Sequence, residues 1–504
     1  MVGRATSVAV VGLEAVPVTV EAHVASGLPG LHVIGAGGTG TRDAADRVRT
    51  ALGAVGTTLP ARKALVSLAP ADVPKAGARF DLAMALALLV ELGALPPQAL
   101  ARSAVLGELA LDGRVRPVEG VLPSVAALPP LGVEHALVAE EDAAEAALVD
   151  DLTVVPVAHL AEALDVLAGH RAPRPVAPAA EGASRHRGDL SEVRGQVEAR
   201  RGLELAAAGG HHLLLVGPPG CGKSMLARRL PGLLPPLERP LALELAAVRS
   251  VAGWGREAAR LDRTPPLRAP HHTTSAAALL GGGSGVARPG QISLATGGVL
   301  FLDELFEWSR PLLESLREPL EEGEVRLARA RATVRYPARC LLACAANPCP
   351  CGGGAGCACS DEQVAAYRAR LSGPLADRLD LAPQVEPLTA ADLLRRDPGE
   401  PTATVAARVA AARHAASARW GPGLTNATAP ITAVRATAEA PALRALADAV
   451  EEGRLSGRGF ERALRVARTA ADLAGEEPVT RGHALEALAH RLQLLPPTRP
   501  TVAS

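Results

Sequence analysis

Along the early chain the apolar-rich runs SVAVVGL at 7–13 and VPVTVEAHV at 16–24 have a β-like pattern and predict strands. Helical spacing follows at 41–53 and 80–93, so residues 1–170 read as a mixed α/β unit. The segment RAPRPVAPAAEGASRHRG, 171–188, is rich in Pro, Ala and Arg without an apolar period, the makeup of a linker. From 189 to 388 the order is helix, the apolar run HLLLV, a glycine-rich loop and a helix expected to stop at Pro231. Short unbroken apolar runs then recur at 299–302 and 340–346. Wholly apolar strands separated by helices predict a parallel sheet covered on both faces. Residues 389–504 are Ala-rich and helical with Pro and Gly breaks and no strand, and no repeat of 20–50 residues is visible.

Composition narrows this picture. The net charge of +0 excludes a globally basic nucleic-acid binder, although a local stripe escapes that sum. Aromatics at 2% exclude a base-stacking platform, so any nucleic-acid contact should be made to the backbone. The apolar run LAMALALLV, 82–90, is too short to span a bilayer, and the chain opens on no charged and apolar leader. A cytoplasmic protein with no membrane partner is the expectation.

Lys and Arg together number 53, yet only Lys63, Lys75 and Lys223 are lysines. Lys223 lies in GPPGCGKS, where Gly217, Pro218, Pro219, Gly220, Cys221, Gly222, Lys223, Ser224 and Met225 join an apolar strand to a helix. Glycines let backbone N–H groups wrap phosphates, and a helix N-terminus adds a favourable dipole. A compact ammonium reaches β- and γ-phosphates inside a tight loop where a planar guanidinium is too bulky. The pattern therefore predicts ATP, with Mg²⁺ held by Ser224 and by Asp303 at the end of the strand GVLFL. Glu304 is placed to activate water; the plainer reading is a pair of acids opening a helix. Asn347 ends CLLACAAN, positioned either to touch the γ-phosphate or simply to form a turn.

Six stretches in this order, PLRAPHHTTS, PGQISLATGGVLFLDEL, LREPLEEGEVRLARA, AANPCPCG, YRARLSGPLADRLDL and LSGRGFERALRVARTAADLAG, resemble the magnesium-chelatase-like AAA+ ATPases of the YifB or ComM type. The resemblance implies an α/β fold with a phosphate-loop AAA+ core (189–388), a C-terminal helical lid (389–504) and a homo-hexameric ring. It makes Asp303 and Glu304 the Walker B pair and Asn347 sensor 1. Arg378 becomes the finger that completes a neighbour's site, and Arg458 sensor 2, with Arg465 as its competitor. Residues 68–92 and 106–128 resemble the proteolytic domain of Lon-type proteases, a ribosomal-S5-like α/β fold. The positions of that family's Ser and Lys fall on or next to Arg79 and Leu122, and neither can do the chemistry. Ser124 has no lysine beside it, and Lys75 lies in the loop. The domain is thus expected to be non-catalytic, serving assembly or docking.

Cys349, Cys351, Cys357 and Cys359 fall within eleven residues, a poor disulfide framework and a fair tetrahedral Zn²⁺ set, with free or redox-active thiols as the alternative. His271 and His272 are either ligands or structural. VRLARARATVRY reads as a β-hairpin, and five arginines stand between 326 and 339 with no acid among them. In the resembled clade this hairpin projects into the ring's pore, making Arg326, Arg329 and Arg331 DNA-contact candidates, unless the stripe is only a solvated or intersubunit face. The function implied is an ATP-driven DNA motor, a branch-migration helicase supporting recombination in natural transformation. The rivals are a protein-remodelling factor and a metal-insertion subunit of the chelatase type.

Overall fold

The computed structural model describes residues 2–491 apart from 36–39, 76, 177–187, 284, 330–331, 354–356, 372 and 395–398. Most of the expected linker, part of the glycine-rich stretch after residue 34, and the DNA-contact candidate Arg331 lie outside the described residues.

The two early β-like runs form a hairpin, Gly3–Val11 against Glu14–Ala25, with Val11 opposite Glu14 at the turn. It sits inside a seven-stranded mixed sheet in the order Gly30–Ile34, Lys63–Ala69, Glu14–Ala25, Gly3–Val11, Ser103–Val105, His135–Ala139, Thr153–Val157. The helix Asp81–Glu91 lies on this sheet and is buried from Asp81 to Val90. With so few aromatics, its Leu, Met and Ala side chains and Phe80 fill the core against Val18, Val20 and Val66.

The second sheet is parallel, in the order Leu213–Val216, Leu341–Ala346, Val299–Leu302, Leu267–Arg268. Its apolar runs alternate between two separate cores, as a period of two dictates. Leu213, Leu215, Val299, Phe301, Leu341, Ala343 and Ala345 pack with the C-terminal helices. Leu214, Leu300, Leu302, Leu342 and Cys344 pack with Phe306, Trp308 and Tyr367 on the other face. Truncating any of the buried leucines to alanine costs about 2–5 kcal/mol.

The helix after the glycine loop runs Lys223–Leu233 and contains Pro231. Proline does not stop it there because the missing N–H falls in the last turn, where only one bond is forfeited, and Leu234 N–H closes onto Pro231 O at 3.4 Å. After residue 389 the described residues form helices, the longest being Thr402–Trp420 and Gly457–Ala474. Val405, Val409, Leu446 and Leu464 of these helices belong to the same core as one face of the parallel sheet.

The helix Arg239–Val251 carries the contact between the two sheets. Its Leu245 and Ala246 pack on Leu122 and Leu148 of the N-terminal unit. Arg239 pairs with Asp150 at 2.6 Å, Arg288 with Glu119 at 2.7 Å, and Gly120 N–H donates to Ser250 O at 3.2 Å. No described helix is long and apolar enough to cross a membrane.

Candidate nucleotide-binding site

Because the strands Leu213–Val216, Val299–Leu302 and Leu341–Ala346 are parallel neighbours, Gly217, Asp303 and Asn347 leave the sheet at one edge. Lys223 opens the following helix, and its Nζ donates to Gly217 O at 2.6 Å, Pro218 O at 2.7 Å and Asn347 Oδ1 at 3.1 Å. Gly222 caps this helix at φ +97°, a conformation L side chains resist, and a Cβ on Gly217 would run into Val385 O. Gly220 is likewise left-handed. The buried Cys221 donates its thiol to Pro218 O at 2.8 Å, which tightens the loop. Met225 faces Gly222, and its carbonyl is taken by Arg229 at 2.9 Å. The loop keeps a backbone cradle that side chains would fill, as phosphate binding requires.

Ser224 Oγ donates to Asp303 Oδ2 at 2.7 Å. A hydroxyl and a carboxylate oxygen this close, beside the cradle, are the oxygen donors a hard divalent cation takes. Asp303 is oriented by Glu304 N–H at 3.0 Å, while its own carbonyl receives the Trp308 indole at 2.9 Å. Glu304 is exposed and sits at φ +50°, left-handed for a non-glycine residue, so the turn after the strand holds it out over the edge. Its Oε2 lies 3.1 Å from His272 Nδ1. His271 is engaged by Thr273 at 2.9 Å. Among the described residues neither histidine joins a metal-ligating group; the cysteines alone form one. The pairing of His272 with Glu304 was not expected, and only the nearness of PHHTT to a neighbouring strand could have hinted at it.

Arg378 and Arg458 are not brought to this edge. Asp380 accepts His212 N–H at 3.0 Å, and His212, just before the strand Leu213–Val216, accepts Leu342 N–H at 3.1 Å, so this cluster marks the opposite edge of the sheet. Arg462 binds Arg378 O at 3.2 Å and Asp380 Oδ1 at 2.7 Å. Burial, with Arg462, Arg317 and Arg458 nearby, lowers the Arg378 pKa although Glu321 pairs with it. Burial would raise Asp380, but the Arg462 charge and the histidines hold it far below the usual carboxylate range. Arg458 is exposed, whereas Arg465 is spent on Ala429 O at 3.3 and 3.2 Å within the lid.

Residues 189–393 match the family described as Magnesium chelatase, subunit ChlI; residues 20–142 match Subunit ChlI of Mg-chelatase; and residues 399–491 match the ChlI C-terminal family. The chain is 46% identical over 479 residues to an uncharacterized protein of Mycobacterium tuberculosis, covering 94% of this chain and 95% of that one. It is 41% identical over 501 residues to the uncharacterized protein YifB of Escherichia coli, covering 96% of each. It is also 39% identical over 497 residues to the competence protein ComM of Haemophilus influenzae, covering 95% of each. The chain belongs to the magnesium-chelatase-like family of YifB and ComM.

In this YifB and ComM relative the hairpin is formed by Glu324–Arg329 and Ala332–Pro337, with Arg326 opposite Arg335. Its charge is less free than the sequence window suggested. Arg326 is held by Glu324 at 2.6 Å and Glu322 at 3.0 Å, two acids just upstream of the window, and Arg339 pairs with Glu244. Arg329 and Arg335 are exposed and pair with no carboxylate among the described residues. The hairpin base rests on the N-terminal unit, where Val334 and Tyr336 pack with Ala287, Val11 and Leu13.

The Lon-like positions are filled by structure. Arg79 is buried, donates to Glu119 O at 2.5 Å and lies near Asp142, Glu119 and Glu145; burial lowers its pKa to about 10 despite these acids. Burial raises Asp142 and Glu145 to about 7 each. Leu122 is buried against the helix Arg239–Val251, Ser124 Oγ donates to Gly120 O at 2.6 Å, and Lys75 is tied to Pro70 O and Val73 O.

Proposed function

We propose that the chain is an Mg²⁺-dependent ATPase that works as a hexameric ring and spends hydrolysis on moving along DNA. The observation that carries the reading is the convergence of Lys223, Asn347, Ser224 and Asp303 through hydrogen bonds of 3.1 and 2.7 Å at one sheet edge. In that frame the loop N–H groups and Lys223 hold the β- and γ-phosphates, and Asn347 fixes the ammonium. Mg²⁺, which Ser224 and Asp303 would hold, supplies charge neutralisation between the phosphates. Glu304, once turned from His272, accepts the proton of the attacking water as the bond to the bridging oxygen breaks and ADP leaves. Arg378 and Arg458, on the far edge, suit a neighbour's phosphates rather than their own, which is why the reading needs more than one subunit.

The DNA assignment rests on the exposed Arg329 and Arg335, on Arg331 between them in sequence, and on kinship with a protein named for competence. A protein-gripping motor is less well supported because the hairpin's one aromatic, Tyr336, is buried with its hydroxyl on Ala287 O at 2.6 Å. The test is hydrolysis by purified protein across single-stranded, duplex and branched DNA, with Lys223→Ala as control. Stimulation of several-fold that vanishes on charge reversal of Arg329, Arg331 and Arg335 supports the reading. Stimulation that survives the reversal contradicts it.

A further inference from the structure

The four clustered thiols sit where the sensor strand leaves the sheet. Cys349 Sγ is 3.3 Å from Cys351 Sγ and 3.5 Å from Cys357 Sγ, and Cys351 and Cys357 are 3.5 Å apart. All four sulfurs, Cys359 included, lie within 4.8 Å of one another, and every cysteine is free. A tetrahedral thiolate set with zinc–sulfur bonds of about 2.3 Å has sulfur–sulfur edges of about 3.8 Å. A disulfide would need about 2.05 Å, so the geometry suits one ion held by four ligands.

The surroundings say what such an ion would hold together. Cys349 follows Asn347 by two residues and is buried. Gly352 N–H returns to Cys349 O at 3.0 Å, and a Cβ on Gly352 would lie 2.7 Å from Pro219 of the phosphate loop, so this turn is seated on the loop itself. On the other arm, Cys359 leads into Ser360, which caps the helix Asp361–Arg368 in a reciprocal pair with Gln363. Arg368 of that helix reaches Pro348 O at 3.4 Å, and its Tyr367 packs edge-on against Phe306 at 4.8 Å.

We propose that Cys349, Cys351, Cys357 and Cys359 form a structural zinc site that clamps the segment after Asn347 to the phosphate loop and so fixes Asn347 against Lys223. The site stands on the thiol geometry alone, whereas its effect on turnover rests on the ATPase reading above. Two short arms, each contributing a pair of thiolates with one residue between them, would be joined beside the phosphate loop, and the ion replaces the hydrophobic packing that a segment so rich in glycine cannot supply.

The experiment is elemental analysis of the full-length protein, purified without chelator, beside the Cys357→Ser/Cys359→Ser variant. About one zinc per chain in the wild type and little in the variant is the expected result. Cobalt substitution of the wild type should give the charge-transfer and d–d bands of a tetrahedral thiolate site, which keeps the test valid if the variant does not fold. Chelator-stripped wild type should bind a fluorescent ATP analogue within a few-fold of the loaded protein yet hydrolyse ATP at least tenfold more slowly, with recovery on adding zinc. A metal-free chain with four titratable thiols or two disulfides overturns the site. Zinc removal that leaves hydrolysis unchanged overturns the clamp. A zinc-loaded chain that neither binds nor hydrolyses ATP leaves the metal site standing and removes the ATPase reading instead.

Discussion

Two cations of this chain are buried to nearly the same degree, Lys223 at 9% exposed and Arg79 at 7%, and they do opposite things. Lys223 meets loop carbonyls and one amide oxygen at an edge where three parallel strands end, with a carboxylate and hydroxyl beside it. Arg79 meets the Glu119 carbonyl among Asp142, Glu119 and Glu145, under a junction closed by the helix Arg239–Val251. On the proposed reading the ammonium awaits an anion; the guanidinium instead lies among the protein's own acids and donates to backbone carbonyls. What converges on a buried charge, more than its burial, separates a site from a strut.

Exchanging the cations breaks the comparison most sharply. Lys223→Arg should cut hydrolysis by at least about 100-fold, because a planar fork cannot enter the loop, while denaturant midpoints stay near wild type. Steady-state turnover beside unfolding curves checks both halves. Arg79→Leu should do the reverse: it leaves Asp142 and Glu145 buried without their cation, costs about 3 kcal/mol of stability and spares the turnover of whatever remains folded. Arg79→Lys should lose about 1 kcal/mol.

A smaller effect follows from pH. Asp142 and Glu145 titrate near 7 in the folded chain, raised by burial above their unfolded values, so the folded state binds more protons than the unfolded one between those limits. Their contribution to stability therefore falls as pH rises from about 4 to about 7 and levels off above, by up to about 1.4 kcal/mol per pH unit for each group. Chemical denaturation of the wild type against Asp142→Asn/Glu145→Gln should show this slope only in the wild type.

That Lys223, Ser224, Asp303 and Asn347 would meet at one end of the sheet was legible because the pattern is local. Asp303 and Asn347 each follow an apolar strand directly, Lys223 and Ser224 follow one through a short glycine loop, and parallel pairing then brings the strand ends together without further information. The early β-like runs and the unbroken apolar runs marked the first hairpin and three strands of the parallel sheet for the same reason. Tertiary packing decided the rest. Nothing near Arg458 says that the lid will set it beside Arg378 at the far edge, nor does PHHTT announce that His272 will meet Glu304. The arginine stripe looked free of acids because Glu322, Glu324 and Glu244 lie outside the run that they partly neutralise. Pro231 looked like a stop because the sequence does not show that its helix was about to end anyway.

The most direct test of the central claim is single-turnover hydrolysis of bound MgATP by Glu304→Gln alongside the wild type, with nucleotide affinity measured on the same samples. The account predicts an affinity within a few-fold of wild type and a hydrolysis rate lower by about 100-fold or more. Hydrolysis by Glu304→Gln at the wild-type rate would contradict it.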